Sequence, residues 1–198
     1  MVDKYGVGRD IYCFPDSSVL INQLGIKEQT ALDAAELEFT QWRSEQYVPD
    51  FQEVSFATLC GIHFFLFKDL YSWAGKIRAV DISKGATRFA NVRCIEREAH
   101  KYFQCLAQEN FLAHLPKEKF VARLSHYYSE LNVIHPFRDG NGRAQRILFE
   151  TIVINAGYEI RWQTIEEDEW LTANIAAYNG NLSPLADLLE RATSFIST

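Results

Sequence analysis

The thirteen residues from Ile134 to Arg146, IHPFRDGNGRAQR, bring together side chains that can do chemistry in one short break between two apolar stretches. Asp139, Gly140, Asn141 and Gly142 form a D-G-N-G turn, which permits left-handed backbone and gathers amide N–H groups without side-chain bulk. A helix predicted to start at about Gly142 points its unpaired N–H groups and the positive end of its dipole at the same place, which makes an anion cradle. Arg143 and Arg146, three apart, put two cations at an end of the helix where cations are unfavourable by about 0.3–1 kcal/mol each unless an anion lies between them. A polyphosphate supplies that anion, and arginine is the side chain best shaped to grip it. Asp139 adds the carboxylate that a Mg²⁺ ion accompanying a polyphosphate requires. His135 adds an imidazole able to take a proton from an incoming hydroxyl. Phe137, set between these polar groups, reads as the buried anchor of the loop.

Each part has an ordinary explanation when taken alone. D-G-N-G sequences are common in loops, single histidines are commonly packed, and two nearby arginines commonly face solvent. Their concentration within so few residues, at the start of an apolar helix, carries the functional reading.

The elements that must position this segment are mainly helical. Helices are predicted over 27–45, 55–73 (closed by Gly75), 93–108, from Pro116 onward, 142–155, 166–178 and 183–194, the last with Ser183 as cap and Pro184 at its first position. The first of these reads as a surface helix whose apolar set is Ala31, Ala34, Ala35, Leu37 and Phe39. Between 78 and 91 the pattern changes to a small hairpin with a Gly-containing turn at KGAT. At 198 residues the chain is read as one domain: a helical part over 1–54, a core over 55–162 and C-terminal helices over 163–198.

Composition narrows the class further. Hydrophobic residues make up 47% of the chain, enough for a sizeable core. Twenty basic against 26 acidic residues give a net charge of −6, which argues against a general nucleic-acid-binding helix bundle. No apolar run reaches the length of a membrane span and the start MVDKYGVGRD lacks a signal-peptide core, so no membrane association and a cytoplasmic location are expected. The four cysteines, Cys13, Cys60, Cys94 and Cys105, show no zinc-type spacing and are expected to be free, buried or half-buried thiols. His63, His100, His114 and His126 have no partners at informative spacing and are expected to be structural or exposed.

HPFRDGNGR, His135 to Arg143, matches the HxFx[D/E]GN[G/K]R signature of the Fic-domain family, and Arg146 matches its second arginine. YSWAGKIR at 71–78 and DISKG at 81–85 are similar to other family segments, and GRDIYCFPDSSVLINQLGI at 8–26 resembles the start of stand-alone bacterial Fic toxins. The resemblance implies a Fic-type helical bundle with one β-hairpin flap, and transfer of AMP from ATP, with Mg²⁺, to a protein Ser, Thr or Tyr hydroxyl. It makes His135 the base, Phe137 the anchor and Asp139 the metal ligand. Gly140, Asn141 and Gly142 become the anion hole, with Arg143 and Arg146 on the outer phosphates. Ser83, Lys84, Gly85, Ala86, Thr87, Arg88 and Phe89 become the flap that holds a target segment by strand addition. Glycine rather than lysine at 142 favours adenylylation over the kinase chemistry of some relatives. The chain lacks the [S/T]xxxE[G/N] inhibitory motif, so a separate small antitoxin supplying a glutamate to Arg146 is expected. Subunits of type II topoisomerases (DNA gyrase, topoisomerase IV) are the expected targets. The competing readings are a Fic-type kinase or phosphocholine transferase, and a silent module that binds nucleotide or partner.

Overall fold

A computed structural model describes residues 10–196; the segment before Asp10, which includes the beginning of the toxin-like opening, lies outside the described residues. Seven α-helices follow one another: α1 (Gln29–Gln46), α2 (Phe56–Phe67), α3 (Ile95–Gln108), α4 (Lys117–Ile134), α5 (Asn141–Asn155), α6 (Glu167–Tyr178) and α7 (Ser183–Ala192). Two small antiparallel pairs complete the described residues. One joins β1 (Ser83–Lys84) to β2 (Thr87–Arg88); the other joins β3 (Tyr158–Ile160) to β4 (Thr193–Phe195). A continuous apolar core runs through all the helices, with Leu59, Leu66, Leu124, Phe120, Leu148, Ile152 and Leu189 at its centre.

Local chemistry sets the helix ends. Glu28 caps α1 by accepting the N–H groups of Thr30 and Ala31, and Ser55 caps α2 by accepting that of Thr58. α5 begins at Asn141, one residue earlier than the sequence predicts, because Gly140 takes the left-handed capping conformation at φ 75°. α2 stops at Phe67 rather than running to Trp73. Leu70, Tyr71 and Trp73 are buried all the same, in the turns that follow, so their apolar periodicity reports burial and not helix. Gly75, at φ 75°, lets these turns fold back onto α2, where a Cβ would stand 2.8 Å from that of Phe64.

The face that α1 buries also differs from the predicted one. Leu32 and Thr40 are buried while Leu37 is 65% exposed. The inward stripe runs 32, 36, 40 at steps of four, and two of its three members are polar because they meet Arg143 in the first turn of α5. At the other end, α7 gives way to β4 at Thr193, where a continued helix had been expected.

None of the four cysteines forms a disulfide; Cys13 is buried, Cys60 and Cys94 are half-buried, and Cys105 is exposed. No helix among the described residues is long and apolar enough to cross a membrane.

Candidate active site

His135 caps the C-terminal end of α4 in the left-handed conformation, φ 46°. A non-glycine residue held there is unusual and turns the side chain out of the helix line. Its Nδ1 lies 3.0 Å from the Asn132 carbonyl oxygen, which can only accept, so Nδ1 carries the proton and Nε2 presents a lone pair. Burial is the main cause that pushes the imidazole down to about 4, with the charges of Arg78 and Lys84 acting in the same direction. The ring is therefore neutral near pH 7, the state a general base needs.

The loop from Pro136 to Gly142 is fixed from several sides. Phe137 is fully buried and its ring stacks on His63 at 3.9 Å between centroids. His63 is fully buried as well; Gly75 donates its N–H to Nδ1, so the proton sits on Nε2 and is donated to the Asp139 carbonyl. The Asn141 side chain closes the loop upon itself, its Oδ1 accepting the Phe137 N–H and its Nδ2 donating to the Phe137 carbonyl, both at 2.8 Å. That amide is thus spent inside the loop, and the backbone N–H is what Asn141 offers to an anion. Gly140 passes so close to Phe67 that a Cβ would lie 2.3 Å from its ring. By contrast, a Cβ on Gly142 would meet nothing within 4 Å. Arg138 pairs with Asp10 in a buried ion pair, Nε to Oδ2 at 2.6 Å, which ties the loop to the start of the described chain.

Asp139 is half-buried and its Oδ1 accepts the N–H of Gly140 at 2.7 Å. A carboxylate has about four acceptor positions, and a single hard oxygen donor beside a phosphate cradle suits Mg²⁺, which takes its remaining ligands from phosphate and water. No cluster of three His, Cys, Asp or Glu side chains able to hold a metal occurs among the described residues.

The two arginines diverge. Arg143 reaches back to α1, where it pairs with Glu36, donates to Thr40 Oγ1 at 3.3 Å and lies over the Phe67 ring. Glu36 also accepts the hydroxyl of Tyr71. The charge that offsets Arg143 at the helix N-terminus is therefore a carboxylate of this chain, where the sequence had pointed to a polyphosphate alone. Arg146 is exposed and approaches the buried Tyr128, whose hydroxyl burial raises and Arg146 draws back down.

The flap stands over His135. Phe89 lays its ring on the imidazole, 3.7 Å between centroids and 15° between planes. Lys84, Gly85, Ala86 and Arg88 are exposed, while Ser83, Thr87 and Phe89 are half-buried. At the flap's foot, Arg78 is buried and donates to the carbonyls of His135, Val80 and Ala90. Its own N–H donates to the Pro136 carbonyl. One side chain thus ties His135 to both legs of the hairpin.

Glu36, His63 and Arg78 belong to the site's framework and were not singled out from the sequence as such. The step of four from Leu32 through Glu36 to Thr40 was a usable signal for the first. A histidine inside the apolar run FATLCGIHFFLF was one for the second. Nothing local marks the third.

A model of the Fic/DOC family matches residues 53–153. The chain is 43% identical over 194 residues, 98% of its length and 97% of the relative's, to a Salmonella typhimurium protein named probable protein adenylyltransferase Fic. It is 38% identical over 197 residues, 95% of its length and 40% of the relative's, to protein adenylyltransferase VbhT of Bartonella schoenbuchensis. Among solved structures, BepC of Bartonella tribocorum with bound AMPPNP superposes with a TM-score of 0.88 at 27% identity, covering 94% of this chain and 97% of that one.

Proposed function

Because the chain belongs to the Fic/DOC family, we propose that it is a protein adenylyltransferase, which moves AMP from ATP to a hydroxyl side chain of another protein. The observation that carries this reading is the tautomer of His135. Its Nδ1 proton is committed to the Asn132 carbonyl, so a neutral Nε2 acceptor stands beside the N-terminus of α5. The target hydroxyl oxygen forms a bond to the α-phosphorus of ATP, the bond from that phosphorus to the pyrophosphate oxygen breaks, and the hydroxyl proton goes to His135 Nε2. The Gly140 N–H is taken by Asp139 Oδ1, so of the expected anion hole Asn141 and Gly142 remain; their N–H groups, joined by that of Arg143 in the first turn of α5, would face the transferring phosphate, where fixed dipoles stabilise the growing negative charge. Open space at Gly142 leaves room for it. Asp139 would hold the Mg²⁺, which supplies charge neutralisation on the phosphates. Arg143 and Arg146 take the leaving phosphates, Arg143 by exchanging Glu36 for phosphate oxygens or sharing itself between them.

The exposure of Arg146 supports regulation in trans: a small antitoxin could set a glutamate against it and deny it to the nucleotide. The hairpin is where a target segment docks, and type II topoisomerase subunits, acted on in the cytoplasm, are the target class we assign. The test incubates the protein and a His135→Ala variant with Mg²⁺ and a bacterial lysate, using ATP labelled at the α- or the γ-phosphate. Label entering protein only from the α-phosphate, and lost in the variant, is the expected result. Label from the γ-phosphate alone makes the chain a kinase, and no label from either position refutes the transferase reading.

A further inference from the structure

Backbone hydrogen bonding in the flap shows which of its groups face away from the hairpin. Ser83 lies opposite Arg88 and Lys84 opposite Thr87, and the Phe89 N–H donates to the Ile82 carbonyl at 3.3 Å. Along an antiparallel strand, the residues whose N–H and C=O face the partner alternate with those that face outward. Since Phe89 bonds inward, the N–H and C=O of Arg88 and Ala90 form the outer edge of this strand.

All four of those groups are engaged by the body of the protein. The Ala90 N–H donates to the Val133 carbonyl at 2.9 Å, and Arg78 Nη2 donates to the Ala90 carbonyl. The Arg88 pair is taken by one side chain from α6. The Tyr178 hydroxyl accepts the Arg88 N–H at 3.2 Å and donates to the Arg88 carbonyl at 3.1 Å. A single hydroxyl thus stands where a neighbouring strand would offer one acceptor and one donor. Arg88 precedes Phe89, whose ring lies on His135, so the bond that fixes Arg88 also fixes the ring over the base.

We propose that Tyr178 is a positioning residue that locks the flap: its hydroxyl substitutes for an adjoining strand at the outer edge of β2 and holds the hairpin in register over His135. The consequence for target binding rests on the transferase reading above; the lock itself does not. Tyr178 is itself 36% exposed, and its contact with Arg88 lies in water's reach, so the lock governs the flap and not the stability of the fold.

The experiment compares the whole chain with a Tyr178→Phe variant, which keeps the ring and removes the hydroxyl. Amide hydrogen exchange at Arg88 and initial rates of α-phosphate label transfer into lysate protein, at rising lysate concentration, are measured for both. The lock predicts Arg88 exchange faster by about five- to tenfold in the variant, the factor for one ordinary hydrogen bond. It also predicts an apparent KM for lysate protein raised severalfold, a maximal rate within about twofold, and an unchanged melting temperature. Unchanged Arg88 exchange overturns the lock. Faster exchange with an unchanged KM, in a wild-type chain that does transfer label, overturns its role in target positioning. Should neither chain transfer label, the transferase reading fails, and the exchange result alone still upholds or overturns the lock.

Discussion

Two regions meet at His135, and they are held in opposite ways. The loop from Pro136 to Gly142 is bound by a stacked histidine, an asparagine closed on its own backbone, a buried ion pair and a glycine pressed against a ring. The flap from Ser83 to Arg88 is a hairpin of two-residue strands with an exposed tip, fastened at its foot by Arg78 and at its outer edge by Tyr178. On the function proposed above, the first arrangement fixes atoms that would meet a phosphate of constant geometry, which calls for pre-organisation. The second would leave the part that meets a target chain able to adjust while keeping Phe89 over His135. Rigidity follows from how constant the partner is.

Breaking the rigid side should have the largest effect. Gly140→Ala adds a Cβ 2.3 Å from the Phe67 ring at a positive φ, so the loop or α2 must move. A destabilisation of about 2–4 kcal/mol in denaturant unfolding, with label transfer lost, is expected. Gly142→Ala, in open space, is the matched control and should leave the unfolding midpoint in place.

Acid should attack the same region next. His63 and His135 are both held near 4 in the folded chain, chiefly by burial, against about 6.5 when unfolded. Between those values the unfolded chain binds more protons than the folded one. Stability is therefore full above about pH 6.5 and falls progressively as pH drops to about 4. Unfolding free energies measured across that window should show the slope, and a His63→Gln variant should show a shallower one.

Loosening the flap should have the smallest effect on the fold and a clear one on the base. Phe89→Ala uncovers one face of the imidazole, which re-admits water and lets the His135 pKa climb back toward 6.5. The melting temperature should change by a few degrees at most, since Phe89 is half-buried on a two-strand hairpin. NMR titration of the imidazole reads the shift, and an unmoved pKa would mean that Phe89 does not seal the base.

The division between the regions also explains what could be read from the chain itself. His135, Phe137, Asp139, Gly140 and Asn141 fall within seven consecutive residues, and each residue type states its need: small where the backbone turns, polar where amides must be met, aromatic where the loop is anchored. The supports come from far along the sequence. Glu36 lies 107 residues before Arg143, and His63 lies 76 before Asp139. Arg78 spends itself on backbone carbonyls, which leave no trace in the sequence of the residues that supply them. Glu36 was obscured further because a polar residue on the inward stripe of α1 looks like a solvent-facing one until its partner is known. The pairing of β3 with β4 was equally hidden, for it joins segments about 35 residues apart and Thr193–Phe195 directly continues a helical pattern. Helices with uniform apolar periodicity were legible to within a few residues, whereas Leu70 and Trp73 mimicked helix because buried turns also need apolar residues.

Everything proposed for the site turns on His135 standing neutral with its lone pair on Nε2. Nitrogen-15 NMR of the imidazole in the full chain at pH 7 tests it directly. The expected spectrum is that of a neutral ring protonated at Nδ1, titrating well below the ordinary histidine range and shifting in the Phe89→Ala variant. A ring protonated at Nε2, or an imidazolium at pH 7, would contradict it.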